Sequence, residues 1–120
     1  MRSRFLVLFV CCVYVVKAQT ASLQLGDSLY MHGNYTKAIE AYKSYSNQDE
    51  VYHKIAKSYI ALGNYDEALF NYENSLKVDP RDALTLFDYG KLLAKVKKTK
   101  EALIVFYQLI DIDYRNPNYH

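Results

Sequence analysis

Residues 51–80 constrain the fold of this chain more than any other stretch. On both sides of Gly63-Asn64, apolar residues recur at three- and four-residue spacings, which is the periodicity of one helix face. These residues are Tyr52, Ile55, Ala56, Tyr59 and Leu62 before the turn, and Ala68, Leu69, Tyr72 and Leu76 after it. Pro80 disfavours helical geometry at the preceding Asp79. The stretch therefore predicts two amphipathic helices that are joined at a tight turn and end before Pro80.

The same pattern recurs on either side of this stretch. Gly33-Asn34-Tyr35 repeats the Gly63-Asn64-Tyr65 turn, and Ala68 and Ala102 occupy matching places in successive units. This recurrence divides the chain into units of about 19–48, 49–82 and 83–116, and residues 117–120 resemble the start of a fourth unit. The first unit is four residues short, close to one helical turn, so its second helix is expected to end early, near Ser46.

Small residues recur where the two helices of each unit are expected to cross most closely. A larger side chain there would push the helix axes beyond their usual separation of about 8–10 Å. The small residues are Gly26, Ala38, Ala56, Ala68, Gly90 and Ala102. In the third unit Lys97 stands where the earlier turns have glycine. Because lysine tolerates left-handed geometry poorly, we expect this corner to be less sharply fixed.

The pattern of the central unit resembles the tetratricopeptide repeat (TPR) family. The family signature W-x2-L-G-x2-Y…A-x3-F…P is met, with size-conserving changes, by Tyr52, Ile55-Ala56, Tyr59, Ala68, Tyr72 and Pro80. The resemblance extends over residues 19–120. It implies an all-α fold, a right-handed α-solenoid of three TPR-like helix-turn-helix repeats, and a non-enzymatic role in protein interaction.

The resemblance also implies where a partner binds. TPR-like folds bind ligands mainly in the concave groove lined by the first helix of each repeat. The groove positions here are Leu23, Asp27, Tyr30, His53, Lys57, Ile60, Phe87 and Lys91. Some relatives clamp a terminal carboxylate with lysine, asparagine and arginine at set groove positions. Those positions here hold Leu23, Asp27, Leu84 and Asp88, so the resemblance does not extend to a chaperone-tail adaptor.

The amino terminus has the features of a secretory signal. A basic start at residues 1–4 precedes an apolar run of twelve residues, 5–16, and then Lys17-Ala18. This order predicts a signal peptide over residues 1–18, cleaved after Ala18, and an exported product that is periplasmic, in the cell envelope or secreted. The alternatives are a membrane anchor and a lipoprotein acylated at Cys11 or Cys12. Twelve helical residues span about 18 Å against roughly 30 Å of hydrocarbon, which favours the signal peptide and a mature chain without a membrane span.

Cleavage would change the charge and the cysteine content of the chain. It removes three of the 15 basic residues and leaves 12 against 13 acidic ones, so that the net charge falls from +2 to about −1. A chain so balanced has no electrostatic reason to bind nucleic acid. Both cysteines lie in the removed segment, so the mature domain is expected to rely on packing rather than on disulfides.

The sequence contains no motif that predicts catalysis, a metal or a cofactor. His32, His53 and His120 are far apart, and no Cys/His/Asp spacing suits a metal. Acidic pairs such as Asp66-Glu67 fall at a helix start, where they stabilise the helix dipole. The lysine run at residues 95–100 is interpreted first as a solvated corner, with a site for an acidic partner as the alternative.

These patterns predict a protein-interaction scaffold that acts outside the cytoplasm and binds a protein or peptide in its groove. The alternative is an amino-terminal assembly segment of a larger cell-envelope protein whose activity lies beyond residue 120. The last helix is apolar nearly all round between residues 102 and 112. We therefore expect it to be covered by a fourth repeat, by a partner or by self-association.

Overall fold

The computed structural model describes residues 21–115, and every regular element in that range is a helix. The first helix, α1, occupies residues 21–31 of the described range. It is followed by α2 (Tyr35–Lys43), a 3-10 turn (Gln48–Glu50), α3 (Tyr52–Ala61), α4 (Tyr65–Val78), α5 (Ala83–Lys95) and α6 (Thr99–Arg115). Consecutive helices pair as α1–α2, α3–α4 and α5–α6. The predicted right-handed α-solenoid of three helix pairs is confirmed.

Each pair turns at a corner where one residue has left-handed backbone geometry. The φ angles are +80° at Gly33, +76° at Gly63 and +67° at Lys97. In all three corners the next residue's N–H donates to the carbonyl five residues earlier, at 2.8, 2.9 and 2.8 Å. The expectation of a looser third corner is therefore wrong. The hydrogen bonds fix the corner, and the lysine adopts the strained conformation that they require.

The first repeat is short because its second helix ends early. α2 has nine residues and ends at Lys43, whereas α4 has 14. The predicted early end is confirmed, three residues before the predicted Ser46. The Gln48 side-chain amide donates to the carbonyls of Tyr42 and Lys43 at 3.1 and 3.3 Å, which adds a side-chain donor to carbonyls in the last turn of the shortened helix.

The two ends of α4 have the local features that the sequence predicts. The Asn64 side chain accepts a hydrogen bond from the Glu67 N–H at 3.4 Å, and Asp66 and Glu67 occupy the first turn of α4. Both features stabilise a helix amino terminus. Asp79 has extended geometry, with φ −135° and ψ 93°, as expected for a residue before proline.

The hydrophobic core runs along the solenoid in two clusters. The first joins α2 and α3 through Ala38, Ile39, Tyr42, Val51 and Ile55. The second joins α3 to α6 through Ala56, Ala68, Leu69, Tyr72, Leu86, Leu92, Leu93, Ala102 and Val105. Each repeat therefore depends on its neighbours for burial.

The predicted small positions lie at the closest helix contacts. A Cβ atom at Gly26 would come within 2.5 Å of the Tyr42 ring, and one at Gly90 within 2.8 Å of the Phe106 ring. Ala38, Ala56, Ala68 and Ala102 are all buried. These positions set how closely the helices of a repeat can approach.

The predicted signal peptide, its cleavage site and residues 117–120 lie outside the described residues. Within residues 21–115, no helix combines the length and the apolar character that crossing a membrane requires.

Candidate functional site

The first helices α1, α3 and α5 supply most of the lining of two adjoining cavities. The larger has a volume of about 380 Å³ and the smaller about 350 Å³. Tyr30 and Lys57 line both, so the two cavities form one continuous groove. We call this surface the groove.

Most of the predicted groove residues line these cavities. Tyr30, Lys57, Ile60 and Lys91 line the larger cavity, and Asp27 lines the smaller one together with Tyr30 and Lys57. These side chains come together because residues three and four apart share one helix face.

Three predicted residues are placed differently. Leu23 packs against the first core cluster. Phe87 lies beneath the Lys91 ammonium, with Nζ 4.6 Å from the ring centroid. His53 bonds to α5 residues. These three therefore shape or support the groove without lining either cavity.

Sequence reasoning missed several lining residues. The larger cavity also contacts Ala61, Tyr72, Asp88, Leu92 and Lys95, and the smaller one Met31, Tyr42 and Lys54. Tyr42 and Tyr72 lie on second helices, whereas the resemblance implied a groove lined by first helices. Lys54 and Asp88 occupy equivalent places in α3 and α5. The repeat register could therefore have identified them as one position that faces the preceding first helix.

A polar bridge joins α1 to α3 in the smaller cavity. The Tyr42 hydroxyl donates to Asp27 Oδ1 at 2.6 Å, and Lys54 Nζ lies 2.8 Å from the same oxygen. Partial burial would raise the pKa of Asp27, but the hydrogen bonds from Lys54 and Tyr42 outweigh it and lower that pKa. Burial and then the bond to Asp27 raise the pKa of Tyr42. The bridge thus contains a carboxylate whose charge is already neutralised.

A second polar bridge joins α3 to α5. His53 Nε2 lies 3.1 Å from Asp88 Oδ2, and Nδ1 lies 2.8 Å from Thr85 Oγ1. The fully buried Thr85 hydroxyl donates to Asp82 Oδ2 at 2.8 Å. Burial lowers the pKa of His53, and the charge of Asp88 offsets this only in part.

This row of hydroxyl, imidazole and carboxylate resembles an activated nucleophile, but its details do not fit one. Thr85 is completely buried, so a substrate has no access to its oxygen, and its proton is directed to Asp82. Within the described part of the chain, no group of three or more His, Cys, Asp or Glu side chains could hold a metal. The row is a structural bridge.

Positive charge dominates the larger cavity. Lys57, Lys91 and Lys95 line it together with one carboxylate, that of Asp88. Asp88 is already shared between His53 and Lys91, whose Nζ lies 3.6 Å away. Among residues 21–115, no carboxylate lies within ion-pair distance of Lys57. The groove therefore combines tyrosine rings with ammonium groups that are not fully neutralised.

Comparisons with known proteins agree with this architecture. Sequence profiles described as tetratricopeptide repeat match residues 20–49 and 49–82. Human tetratricopeptide repeat protein 21A is 34% identical over 96 residues, which cover 77% of this chain and 7% of the relative. The chain thus spans a small part of the length of this curated relative.

Solved structures show the same fold at low identity. The second TPR of Spaghetti (RPAP3), bound to the HSP90 peptide SRMEEVD, superposes with a TM-score of 0.70 at 18% identity, over 79% of this chain and 92% of that one. PcrH, in complex with the chaperone binding region of PopB, gives 0.74 at 16% identity, over 87% of each chain. The matched profiles cover more than half of the sequence, and the helix pairs repeat in register through α6. The chain therefore belongs to the tetratricopeptide repeat family.

Proposed function

We propose that this chain is a non-enzymatic protein-interaction scaffold that binds an acidic peptide segment in the groove. The observation that carries the proposal is the larger cavity, where Lys57, Lys91 and Lys95 surround an apolar and aromatic floor. A partner with carboxylates and one large apolar side chain fits both parts of this lining. The Spaghetti repeat bound to a peptide and PcrH bound to a region of PopB support peptide binding as a use of this fold.

Charge reversal in the groove tests this proposal. The double variant Lys57→Glu/Lys91→Glu replaces two ammonium groups of the larger cavity with carboxylates. Lys37→Glu, at an exposed position in the first turn of α2, makes the same kind of change away from both cavities. Anisotropy is measured with labelled peptides that carry glutamates and a phenylalanine, and with matched peptides that carry lysines instead.

The wild type and Lys37→Glu are expected to bind the acidic peptides, with an affinity that falls as salt is added. The double variant is expected to lose that binding with its helicity unchanged. Equal binding by the double variant, or a preference of the wild type for the lysine peptides, would contradict the proposal that the groove binds acidic peptides.

We further propose that the protein acts outside the cytoplasm, in the periplasm, the cell envelope or the secreted fraction. The support is the order of basic start, apolar run and small-residue cleavage pattern in residues 1–18. Mass spectrometry of the natural protein is expected to find an amino terminus at Gln19. An intact Met1 on a membrane-bound product would contradict export with cleavage.

A second candidate function is an amino-terminal assembly segment of a larger cell-envelope protein. The exposed apolar face of α6 and the much greater length of the human relative favour it. Sequencing of the transcript decides between the two, since a reading frame that continues past His120 favours the assembly segment.

A further inference from the structure

The outer face of α6 presents large apolar side chains to solvent. Four of them are exposed: Leu103, Ile104, Tyr107 and Ile110. Leu103, Tyr107 and Ile110 are spaced by four and three residues, so they form one stripe along the helix. An apolar stripe on a helix surface is normally covered.

The same stripe is covered in both earlier repeats. Ile39, Leu69 and Leu103 occupy one repeat position in α2, α4 and α6, each directly after the small alanine of its helix. Ile39 and Leu69 are each 6% exposed, whereas Leu103 is 51% exposed. In the first two repeats the first helix of the next repeat, α3 or α5, packs against the second helix. No helix follows α6 within residues 21–115, and this accounts for the difference.

The opposite end of the solenoid has the complementary face. Val51, just before α3, and Ile55 within it pack with α2 in the first core cluster, and neither is more than 1% exposed; Ser58, one turn further along α3, is fully buried. One repeat earlier, α1 carries Ala21, Leu25 and Ser28 in the same positions. All three are exposed, Leu25 by 55%. Within residues 21–115, no second helix of a preceding repeat packs on this face of α1.

We propose that the α6 stripe binds the α1 face of a second copy of the same chain. The copies would then associate head to tail, with α1 of one copy packed on α6 of the next. The contact would continue the packing that the chain makes twice within itself, α3 on α2 and α5 on α4. Charge does not oppose it, because Asp27 is the one charged residue in α1 between residues 21 and 31, and Lys54 already neutralises it. Such an interface is heterologous and leaves one free end at each terminus of the assembly.

The test uses two variants of the full chain, each with one end disabled. Leu103→Lys places a charge on the α6 stripe, and Leu25→Lys places one on the α1 face. Sedimentation velocity of the wild type is expected to show association that grows with concentration. Each variant alone should associate at least about tenfold more weakly, since each loses a central apolar contact.

An equimolar mixture of the two variants gives the decisive result. The intact α1 face of Leu103→Lys can pack on the intact α6 stripe of Leu25→Lys, so a 1:1 dimer and no larger species is expected. Phe70→Lys is the matched control, because Phe70 is exposed one position beyond Leu69 on α4, away from both ends, and it should associate like the wild type.

Several outcomes would overturn the proposal. A wild type that stays monomeric at its highest soluble concentration would show that a different polypeptide covers α6. Association that persists in both variants would assign it to another surface, the apolar run of residues 5–16 included. A mixture that stays monomeric while the wild type associates would rule out the head-to-tail arrangement. Circular dichroism of each variant confirms that the helices are retained.

Discussion

The two polar bridges between successive first helices use the same repeat position in opposite ways. Lys54 reaches back from α3 to Asp27, and Asp88, at the equivalent place in α5, reaches back to His53. The Lys54 and Asp27 side chains are 41% and 45% exposed, whereas those of His53 and Asp88 are 20% and 16% exposed. The solenoid thus fixes where a bridge can form. The residue types and their burial decide how much stability is lost when the hydrogen bonds of the bridge are removed.

Overpacking of the core should have the largest effect on stability. Ala38 and Ala68 are both fully buried at the equivalent position in α2 and α4. We expect Ala68→Leu to lower the free energy of unfolding by about 1–3 kcal/mol, and Ala38→Leu, at the same position of the first repeat, to lower it by a similar amount. Thermal and urea melts measure both. Ala94→Leu, at an exposed position in α5, is the control, and an unchanged midpoint for Ala68→Leu would contradict the repeat register.

Removal of the buried Thr85 hydroxyl from the second bridge should have the next largest effect. Val51 stands at the position of Thr85 in the preceding repeat and is equally buried, so Thr85→Val conserves the shape. The variant takes a hydrogen-bond partner from both His53 and Asp82, and about 1–2 kcal/mol of stability should be lost. The reverse change, Val51→Thr, buries a hydroxyl among apolar residues of the first cluster and should also destabilise. If Thr85→Val leaves the free energy of unfolding unchanged, the hydroxyl is dispensable for stability.

The second bridge should also make stability depend on pH. Because burial lowers the pKa of His53, the unfolded chain takes up a proton at higher pH than the folded one. The stability from neutral His53 is therefore complete above its unfolded pKa of about 6.5 and lost as the pH falls below it. Asp88, Asp82 and Lys57 are the charged groups that act on this ring.

Urea melts between pH 7.5 and 5 test this dependence, with His53→Gln as the comparison. The wild type should lose more stability than the variant over this range. The opposite slope, with stability rising as the pH falls, would show that Asp82 and Asp88 together hold His53 in its charged form.

The exposed bridge should contribute least. Lys54→Met keeps an apolar stem beside the Tyr42 ring, which Lys54 Nζ approaches to 5.9 Å, and removes the ammonium group that bonds to Asp27. We expect a loss of about 0.2–1 kcal/mol that decreases as salt is added. A loss as large as that of Thr85→Val would mean that exposure does not separate the two bridges.

The sequence predicts the architecture well because one physical constraint repeats. Small residues such as Ala68 and Gly90 lie where a larger side chain would meet the facing helix, so their spacing along the chain is enough to predict the helix pairs. The corners at Gly33 and Gly63 can be predicted equally well from the sequence. Lys97 shows the limit of prediction from local preference. Lysine disfavours left-handed backbone geometry, but the backbone hydrogen bonds of the corner impose that geometry on it.

The candidate site is less predictable because it depends on distances between repeats. The register places Lys57 and Lys91 in the groove, but it does not show that Asp88 pairs with His53 of the preceding repeat. Nor does it show that Tyr72 reaches the cavity from a second helix. Each of these contacts depends on how far one repeat is rotated against the next, which the order of residues along one helix does not specify.

The left-handed lysine at the third corner has a consequence for sequence variation. Among residues with a side chain, most are disfavoured to a similar degree at φ near +67°, with asparagine and aspartate as exceptions. Replacing Gly33 or Gly63 therefore adds strain, whereas replacing Lys97 exchanges one strained residue for another. Among homologues, position 97 should drift in residue type while positions 33 and 63 stay glycine, so the three corners should evolve at unequal rates although their backbones are the same.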